Sequence, residues 1–357
     1  MRPVPVAGAT ARYVIASNFC PPTREAILRR REFIALLGGA AAASPLATHA
    51  QEPQRLRGIG VLMPDSASDQ QSQPIIMALE DELQRLGWGE RRNVRFDYRW
   101  TGGDADRARA AALELLRLAP DVILTDGGQG LGELRHAALT VPIVFMEINE
   151  PVFYGFVDNL AHPGRNMTGF TGLEPAMGAK WLELLNAIAP QLTRIAVIFN
   201  SRTAPGAALF ARSAEAAAQK LRVEVIRAPV QEFADFEGVM TMLAGEPGGG
   251  LILPADIFTD LQRNLILETA ARYRLPAIYG ARTMAAAGGL ASYGIDRAGQ
   301  ARQAAGYVDR ILRGTRVSDL PVEHASKFEL VINLKAAKAL GLDIPPGVRA
   351  MADAVIE

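Results

Sequence analysis

Polar residues follow many of the short apolar segments of this 357-residue chain, and their side chains suit the binding of a small polar or zwitterionic solute. Hydroxyl groups and helix N-terminal amides can hold a carboxylate, while Glu147 or Asp256 can hold an ammonium group. The rings of Tyr279 and Tyr293 can stack on an apolar group. The ligand-binding candidates are Asp65, Ser66, Thr125, Gly127, Glu147, Asn149, Asn200, Asp256, Tyr279 and Tyr293.

Each candidate also has a simpler interpretation as a helix cap or turn residue, because Ser, Asp and Asn favour those positions. The binding interpretation depends on where the candidates lie in the fold. Ligands of open parallel sheets bind beyond the carboxyl ends of the strands, which is where these residues are predicted. We therefore expect a cleft that binds a small solute.

Motifs for catalysis and cofactor binding are missing from the sequence. Residues 127–132 are rich in glycine, but their spacing fails the dinucleotide pattern and they follow the third predicted strand. No phosphate-binding loop, nucleophile elbow or zinc-protease motif occurs, and the histidines are dispersed. We predict no catalytic residue, no metal and no cofactor, although a triad dispersed along the sequence stays open.

The elements that must position the candidates form a pattern that runs twice. Apolar strands alternate with amphipathic helices, and residues 139–145 resemble residues 273–279, where a helix ends before a proline and a strand. This pattern predicts an α/β fold of two Rossmann-like lobes joined by a multi-strand hinge. The predicted first lobe comprises residues 56–168 and 289–323, and the second comprises residues 169–288 and 324–357.

The first fifty residues have the order of an export signal. Arg30 and Arg31 precede Phe33, which opens an uncharged apolar run of about 15 residues, and Ala50 ends a small-residue cleavage site. The twin arginine is typical of a Tat signal. The run is shorter than the roughly 20 residues that span a bilayer, so we expect cleavage and no stable membrane insertion. The predicted location of the mature protein is the periplasm.

Charge and cysteine content narrow the possible partners. Beyond residue 50 acidic residues slightly outnumber basic ones and no basic block occurs, so we expect no nucleic-acid binding. The single cysteine, Cys20, lies within the predicted signal, which leaves the mature chain without a thiol. We expect a monomer stabilised by packing alone.

Several segments resemble the ABC transporter substrate-binding family that includes tryptophan-binding TrpX-like proteins. The stretch over residues 327–335 is the most specific, and the resemblance extends from the leader to Glu357. The other segments that carry it are residues 30–34, 36–40, 168–169, 276–279, 287–290 and 292–294.

The resemblance implies a type I periplasmic binding protein without enzymatic activity, which delivers an amino-acid-like solute, with aromatic amino acids among the candidates, to an ABC permease and its ATPase. The sequence departs from the family pattern at three places near the expected ligand. Glu150-Pro151-Val152 replaces Asp-Pro-Val, Asn200-Ser201 replaces Asn-Pro, and residues 280–282 are less aromatic and acidic. Two alternatives stay open, a periplasmic ligand sensor that presents its bound form to a receptor and an enzyme on the same scaffold.

Overall fold

The computed structural model describes residues 55–69, 72–137 and 141–357. The predicted export signal, with Arg30, Arg31, Phe33 and Ala50, lies outside the described residues and stays a prediction. Within the described ranges no helix is both long and apolar enough to cross a membrane.

Short strands form the framework of the fold, and four of the twelve described are buried at every residue. They are β1 (Arg57–Met63), β2 (Val94–Trp100), β3 (Val122–Asp126), β4 (Ile143–Ile148), β5 (Met167–Thr171), β6 (Arg194–Asn200), β7 (Glu224–Val230), β8 (Gly249–Leu253), β9 (Ala277–Tyr279), β10 (Ala291–Ile295), β11 (Phe328–Asn333) and β12 (Ala354–Ile356).

Helices alternate with these strands, and 3₁₀ turns occur at Pro205–Ala207 and Val317–Asp319. The α-helices are α1 (Gln73–Arg85), α2 (Ala105–Arg117), α3 (Leu131–Ala137), α4 (Met177–Ile188), α5 (Ala208–Leu221), α6 (Phe233–Ala244), α7 (Ile257–Leu261), α8 (Arg263–Arg272), α9 (Arg282–Ala286), α10 (Arg297–Leu312), α11 (Leu334–Leu340) and α12 (Pro346–Ala350).

The first lobe contains a parallel sheet in the order β2-β1-β3-β4-β5. Every residue of β3 is buried, as expected for a strand covered on both faces. The register pairs Val61 with Leu124, so the carboxyl ends of β1 and β3 lie side by side. Helix α10 completes this lobe, because Ala304 and Val308 share a core with Leu79 of α1.

The second lobe contains a sheet in the order β12-β11-β10-β9-β8-β6-β7. Only the β10–β11 pair is antiparallel among the strand pairs described. Trp181 of α4 is completely buried against one face, and its Nε1 donates a 2.7 Å hydrogen bond to the Tyr293 carbonyl. The carboxyl ends of β6, β8 and β9 form one edge of this sheet.

The sheet pairing corrects two of the predicted lobe boundaries. Ala291 and Ser292 pair with Ile278 and Tyr279, so residues 289–295 continue the second sheet instead of belonging to the first lobe. Gly169 pairs with Phe145, so residues 169–171 complete the first sheet. In both cases the pairing of backbone hydrogen bonds determines which sheet the segment joins. Strand β10 pairs with the edge of β9, and strand β5 pairs with the edge of β4.

Three chain crossings link the two sheets, after Thr171, at Asp296 and before Phe328. The first and third crossings run together, since the Thr171 amide donates to the Glu323 carbonyl at 2.8 Å. Asp296 joins the second crossing to the third, because its carboxylate accepts a 2.8 Å bond from Lys327. Several short connections that contact one another restrict the lobes to hinge motion.

A candidate ligand cleft between the strand ends

The strand ends of the first lobe place three carboxylates next to each other. Asp65 follows β1, Asp126 ends β3 and Glu147 lies near the end of β4. Asp65 accepts a hydrogen bond from the Ser72 hydroxyl, at the start of α1. Burial raises the pKa of Asp126, although Arg297 opposes that rise.

Arg297 lies at the centre of this group and was not among the sequence candidates. It donates a hydrogen bond to Asp126, and its Nε lies 3.2 Å from a Glu147 carboxylate oxygen. Burial alone would lower its pKa, but Asp126 and Glu147 outweigh burial and raise it. As the first residue of α10, the cation also opposes the helix dipole, so these carboxylates are what hold it there.

Glu147 has an unusual backbone for a residue with a side chain, with φ at 55°. This left-handed conformation costs about 1–2 kcal/mol and persists only where neighbours enforce it. Gln300 supplies that constraint, because its Oε1 accepts from the Glu147 amide at 3.2 Å and its Nε2 donates to the Thr171 carbonyl at 3.0 Å. The buried Gln300 side chain therefore connects the cleft carboxylate to the first crossing.

The electrostatic environment of Glu147 disfavours its ionised form. Burial raises its pKa to about 7, and Asp126, Asp260 and Asp65 add to that rise while Arg297 opposes it. A carboxylate whose pKa is raised to about 7 where two lobes meet is typical of a functional site.

The second lobe contributes two further carboxylates from the start of α7. Asp256 accepts a 2.6 Å hydrogen bond from the Thr203 hydroxyl. Asp260 accepts from Thr283 at 3.0 Å and from Arg263 at 3.2 Å. Burial raises the pKa of both carboxyls, and Asp260 also interacts with Arg297 of the first lobe. Carboxylates of both lobes therefore face the same space.

The lobes meet at the edge of this cleft. Gly103 of the first lobe approaches α7 so closely that a Cβ there would lie 2.8 Å from Leu261 Cδ1 and 3.2 Å from Ile257 Cγ1. A Cβ at Gly206, in the second lobe, would lie 3.9 Å from the Tyr154 hydroxyl of the first. The structure therefore has the lobes in contact around the charged residues.

For two sequence candidates, Tyr279 and Asn200, the predicted ligand contact is wrong, because both side chains are buried and used within the second lobe. Tyr279 is 1% exposed within the core of the second lobe, against Gly289. Tyr293 is partly buried and packs on Phe328 at a ring distance of 5.9 Å, and its predicted ligand contact stays a prediction. Asn200 is 2% exposed and caps the turn after β6, because its Oδ1 accepts two backbone amides and its Nδ2 donates to a carbonyl.

The remaining candidates border the carboxylates with differing exposure. Ser66 is exposed, and its hydroxyl lies 3.1 Å from that of Ser68. Thr125 is completely buried beneath Gly127, whose φ of 73° fits the tight turn after β3. The Asn149 side chain lies against Gly172 of the first crossing. Asp65, Glu147 and Asp256 are therefore the candidates that the structure brings into one charged group.

A recess of about 540 Å³ lies in the second lobe between β7 and α6. Its one carboxylate, Asp235, accepts hydrogen bonds from the amides of Gln231 and Glu232 and so caps α6. None of the residues that line this recess belongs to the charged group around Arg297, so the recess is a separate site.

Two α/β lobes with three crossings, and with strand ends that face each other, define the type I periplasmic binding fold. The profile of the ABC transporter substrate binding protein family matches residues 61–356, and the chain belongs to this family. The family consists of substrate-binding proteins and not of enzymes. The resemblance noted in the sequence is thereby confirmed, as is the predicted fold.

Individual relatives are distant but cover most of the chain. The tyrosine-binding protein of Clostridioides difficile is 24% identical over 289 residues, which are 81% of each chain. A conserved domain protein from Vibrio cholerae has a TM-score of 0.75 at 27% identity and matches 84% of this chain and all of its own. An ABC domain from Streptococcus pneumoniae in complex with L-Trp has the same TM-score and coverage at 24% identity, which shows the fold.

Proposed function

We propose that this protein is the periplasmic solute-binding subunit of an ABC importer. It captures a small amino-acid-like solute between its lobes and presents the closed form to a permease driven by a separate ATPase. The proposal rests chiefly on one observation, the convergence of Asp65, Asp126, Glu147 and Asp260 from both lobes around Arg297, with Asp256 interacting with Asp260. The family match supports transport, and the relatives named for tyrosine and L-Trp support an amino-acid-like solute.

Closure of the two lobes around the solute explains capture, and no chemical step is needed. A solute that contacts both sets of carboxylates binds the closed arrangement better than an open one and shifts the population toward it. Hydrogen bonds in the cleft contribute about 1 kcal/mol each, and more where a charge takes part. The crossings at Thr171, Asp296 and Glu323 permit this motion while keeping the lobes in register.

The leader supports the export part of the proposal. The twin arginine at Arg30 and Arg31 and the cleavage site at Ala50 support Tat-dependent export and a mature N-terminus near Gln51. N-terminal sequencing of the protein recovered from a periplasmic extract tests this part. An N-terminus upstream of Arg30, or retention in the cytoplasm, would contradict it.

A thermal-shift screen of the purified protein against amino acids and related amines tests the binding function. A solute present at 100 times its Kd stabilises the fold by about 2.7 kcal/mol, which is easily measured. We expect at least one solute to do this, and we expect the Glu147→Gln variant to lose much of the affinity.

The recess at α6 provides a matched control for the location of the site. Asp235→Asn removes one charge there and costs some stability, but we expect it to leave the solute affinity unchanged in calorimetric titration. Binding that is lost in Asp235→Asn and kept in Glu147→Gln would move the site to the recess. No stabilisation by any solute would overturn the proposed function.

A further inference from the structure

The charges of the cleft do not balance. Its carboxylates are Asp65, Asp126, Glu147, Asp256 and Asp260, and the cations that pair with them among the described residues are Arg297 and Arg263. Arg263 pairs with Asp260 at 3.2 Å, and Arg297 is shared by Asp126 and Glu147. With all five carboxyls ionised, the group carries three negative charges in excess.

The two remaining carboxylates accept hydrogen bonds from neutral hydroxyl groups. Asp65 accepts from the Ser72 hydroxyl, and Asp256 accepts from the Thr203 hydroxyl at 2.6 Å. A hydroxyl satisfies a carboxylate lone pair but does not compensate its charge. Both side chains therefore contribute negative potential to the cleft without a cation of their own in the described structure.

Glu147 is the least satisfied of the group. Its carboxylate accepts no hydrogen bond within the described part of the chain, and its contact with Arg297 Nε is an ion pair at 3.2 Å that lacks hydrogen-bond geometry. The same Nε is buried and has no acceptor. Since buried polar groups normally have partners, this pairing is incomplete as it stands. The Glu147 carboxylate retains its acceptor sites for a donor that arrives from outside the protein.

We propose that the solute bound in this cleft carries a net positive charge and that Glu147 receives its ammonium or guanidinium group. This inference rests on the proposed function and narrows it to one class of solute, small organic amines and basic amino acids. A cation would compensate part of the excess charge on carboxylates of both lobes and thereby favour closure. A neutral zwitterion also brings a carboxylate, and the central cation, Arg297, is already bound to Asp126.

The chemistry required of the solute is therefore specific. It needs at least one cationic donor group to reach Glu147 and a second that can approach Asp256 or Asp65. Diamines such as 1,4-diaminobutane, and amino acids with a second basic group such as lysine and arginine, have this pattern. Glutamate adds negative charge, and tryptophan and tyrosine are neutral overall.

Calorimetric titration of the purified protein at pH 8 and low salt tests the inference. The probes are lysine, arginine and 1,4-diaminobutane as cations, tryptophan and tyrosine as neutral zwitterions, and glutamate as an anion. We expect the best cation to bind at least tenfold more tightly than either zwitterion, and glutamate not to bind. We also expect its affinity to fall as sodium chloride is raised, because salt screens the attraction.

A pair of charge-matched variants locates the effect. We expect Glu147→Gln to weaken the best cation about tenfold, because it removes a carboxylate without changing the size of the side chain. Glu246→Gln makes the same charge change on a side chain that is 72% exposed at the surface of the second lobe, and we expect no change in affinity there.

The outcomes separate this inference from the proposed function. Tighter binding of tryptophan or tyrosine than of every cation would overturn the inference and leave the solute-binding function intact. Equal losses in Glu147→Gln and Glu246→Gln would also overturn it, because the preference would then reflect overall charge. Failure of all three cations to bind would overturn the inference alone, because the broader thermal-shift screen decides whether the protein binds any solute.

Discussion

The carboxyl ends of the two sheets are used differently. In the first lobe, β1, β3 and β4 lead directly into Asp65, Asp126 and Glu147, which face the cleft. In the second lobe, the residues at the ends of β6 and β9 serve the framework, Asn200 as a cap and Tyr279 as core. The cleft carboxylates of the second lobe come instead from α7. The comparison indicates that the first lobe provides most of the charge, and the second provides a surface that closes on it.

The largest expected effect comes from the ion pair at the centre of the first lobe. Arg297→Gln leaves Asp126, whose side chain is 1% exposed, without its cation. Breaking a buried pair in this way costs about 3–5 kcal/mol. Urea unfolding of the variant should show a loss of this size. Arg316→Gln is the control, because it breaks an exposed surface pair with Asp319, and we expect a much smaller loss.

The double variant Arg297→Gln with Asp126→Asn sharpens the interpretation. It removes both charges, and we expect it to recover a large part of the lost stability because no uncompensated carboxylate is left at that position. If the double variant were less stable than Arg297→Gln alone, the pair would not be the source of the effect. The charged centre of the first lobe would then have a different basis.

The sequence predicted the alternation of strands and helices because buried parallel strands are continuously apolar, as in β3 and β6. It predicted the cleft at the carboxyl ends of the strands for the same topological reason, and this placed Asp65, Glu147 and Asp256 among the candidates. What it missed depends on partners that lie far away in the chain. Arg297 reads as an ordinary solvated residue at a helix start, and its contact with Asp126 spans 171 positions.

The wrong candidates have a related physical reason. Tyr279 lies on a central strand that is buried on both faces, so alternation cannot tell which face its ring occupies. Strand β10 was predicted as a crossover to the first lobe because a strand does not encode which sheet edge it extends. Asn200 has the simpler role of a turn residue that the sequence analysis also predicted. Its Oδ1 accepts two backbone amides and is therefore not available to a ligand. Arg297 could have been found from the sequence only through its position, because it directly follows Asp296 where the chain crosses between the lobes.

A further prediction concerns how pH changes the stability of the unliganded protein through the ionisation of Glu147. Its pKa is raised from about 4.5 to about 7, so its contribution to folding is fully present below pH 4.5 and is lost as pH rises through 7. Asp65, Asp126, Asp260 and Arg297 are the charged groups that face it. We expect Glu147→Gln to be more stable than the parent protein at pH 8 by roughly 1–3 kcal/mol, and about equal near pH 4.5.

Urea unfolding at pH 4.5, 6 and 8, without added solute, measures this difference. The Glu246→Gln variant should follow the parent protein at all three values, since its carboxylate is exposed. A constant difference between Glu147→Gln and the parent across this range would show that Glu147 is not strained electrostatically. The first lobe would then not be arranged for binding at the expense of stability.

The smallest expected effect comes from the closing surface of the second lobe, where Gly103 meets α7. Gly103→Ala places a Cβ 2.8 Å from Leu261 Cδ1, and we expect the solute affinity to fall about three- to tenfold because closure is hindered. Gly102→Ala is the matched control. Gly102 also has positive φ, but the three atoms nearest to its Cβ would belong to the Arg107 guanidinium of the same lobe, at the end of a flexible side chain.

Calorimetric titration and urea unfolding of the two alanine variants separate strain from closure. Both should lose about 1 kcal/mol of stability, because alanine is unfavourable at positive φ, but only Gly103→Ala should lose affinity. Adding Leu261→Ala to Gly103→Ala removes the colliding atom and should restore binding. If Gly102→Ala lost as much affinity as Gly103→Ala, backbone strain in the loop would explain both results. The second lobe would then contribute to binding through its carboxylates alone, without a fitted contact at the cleft edge.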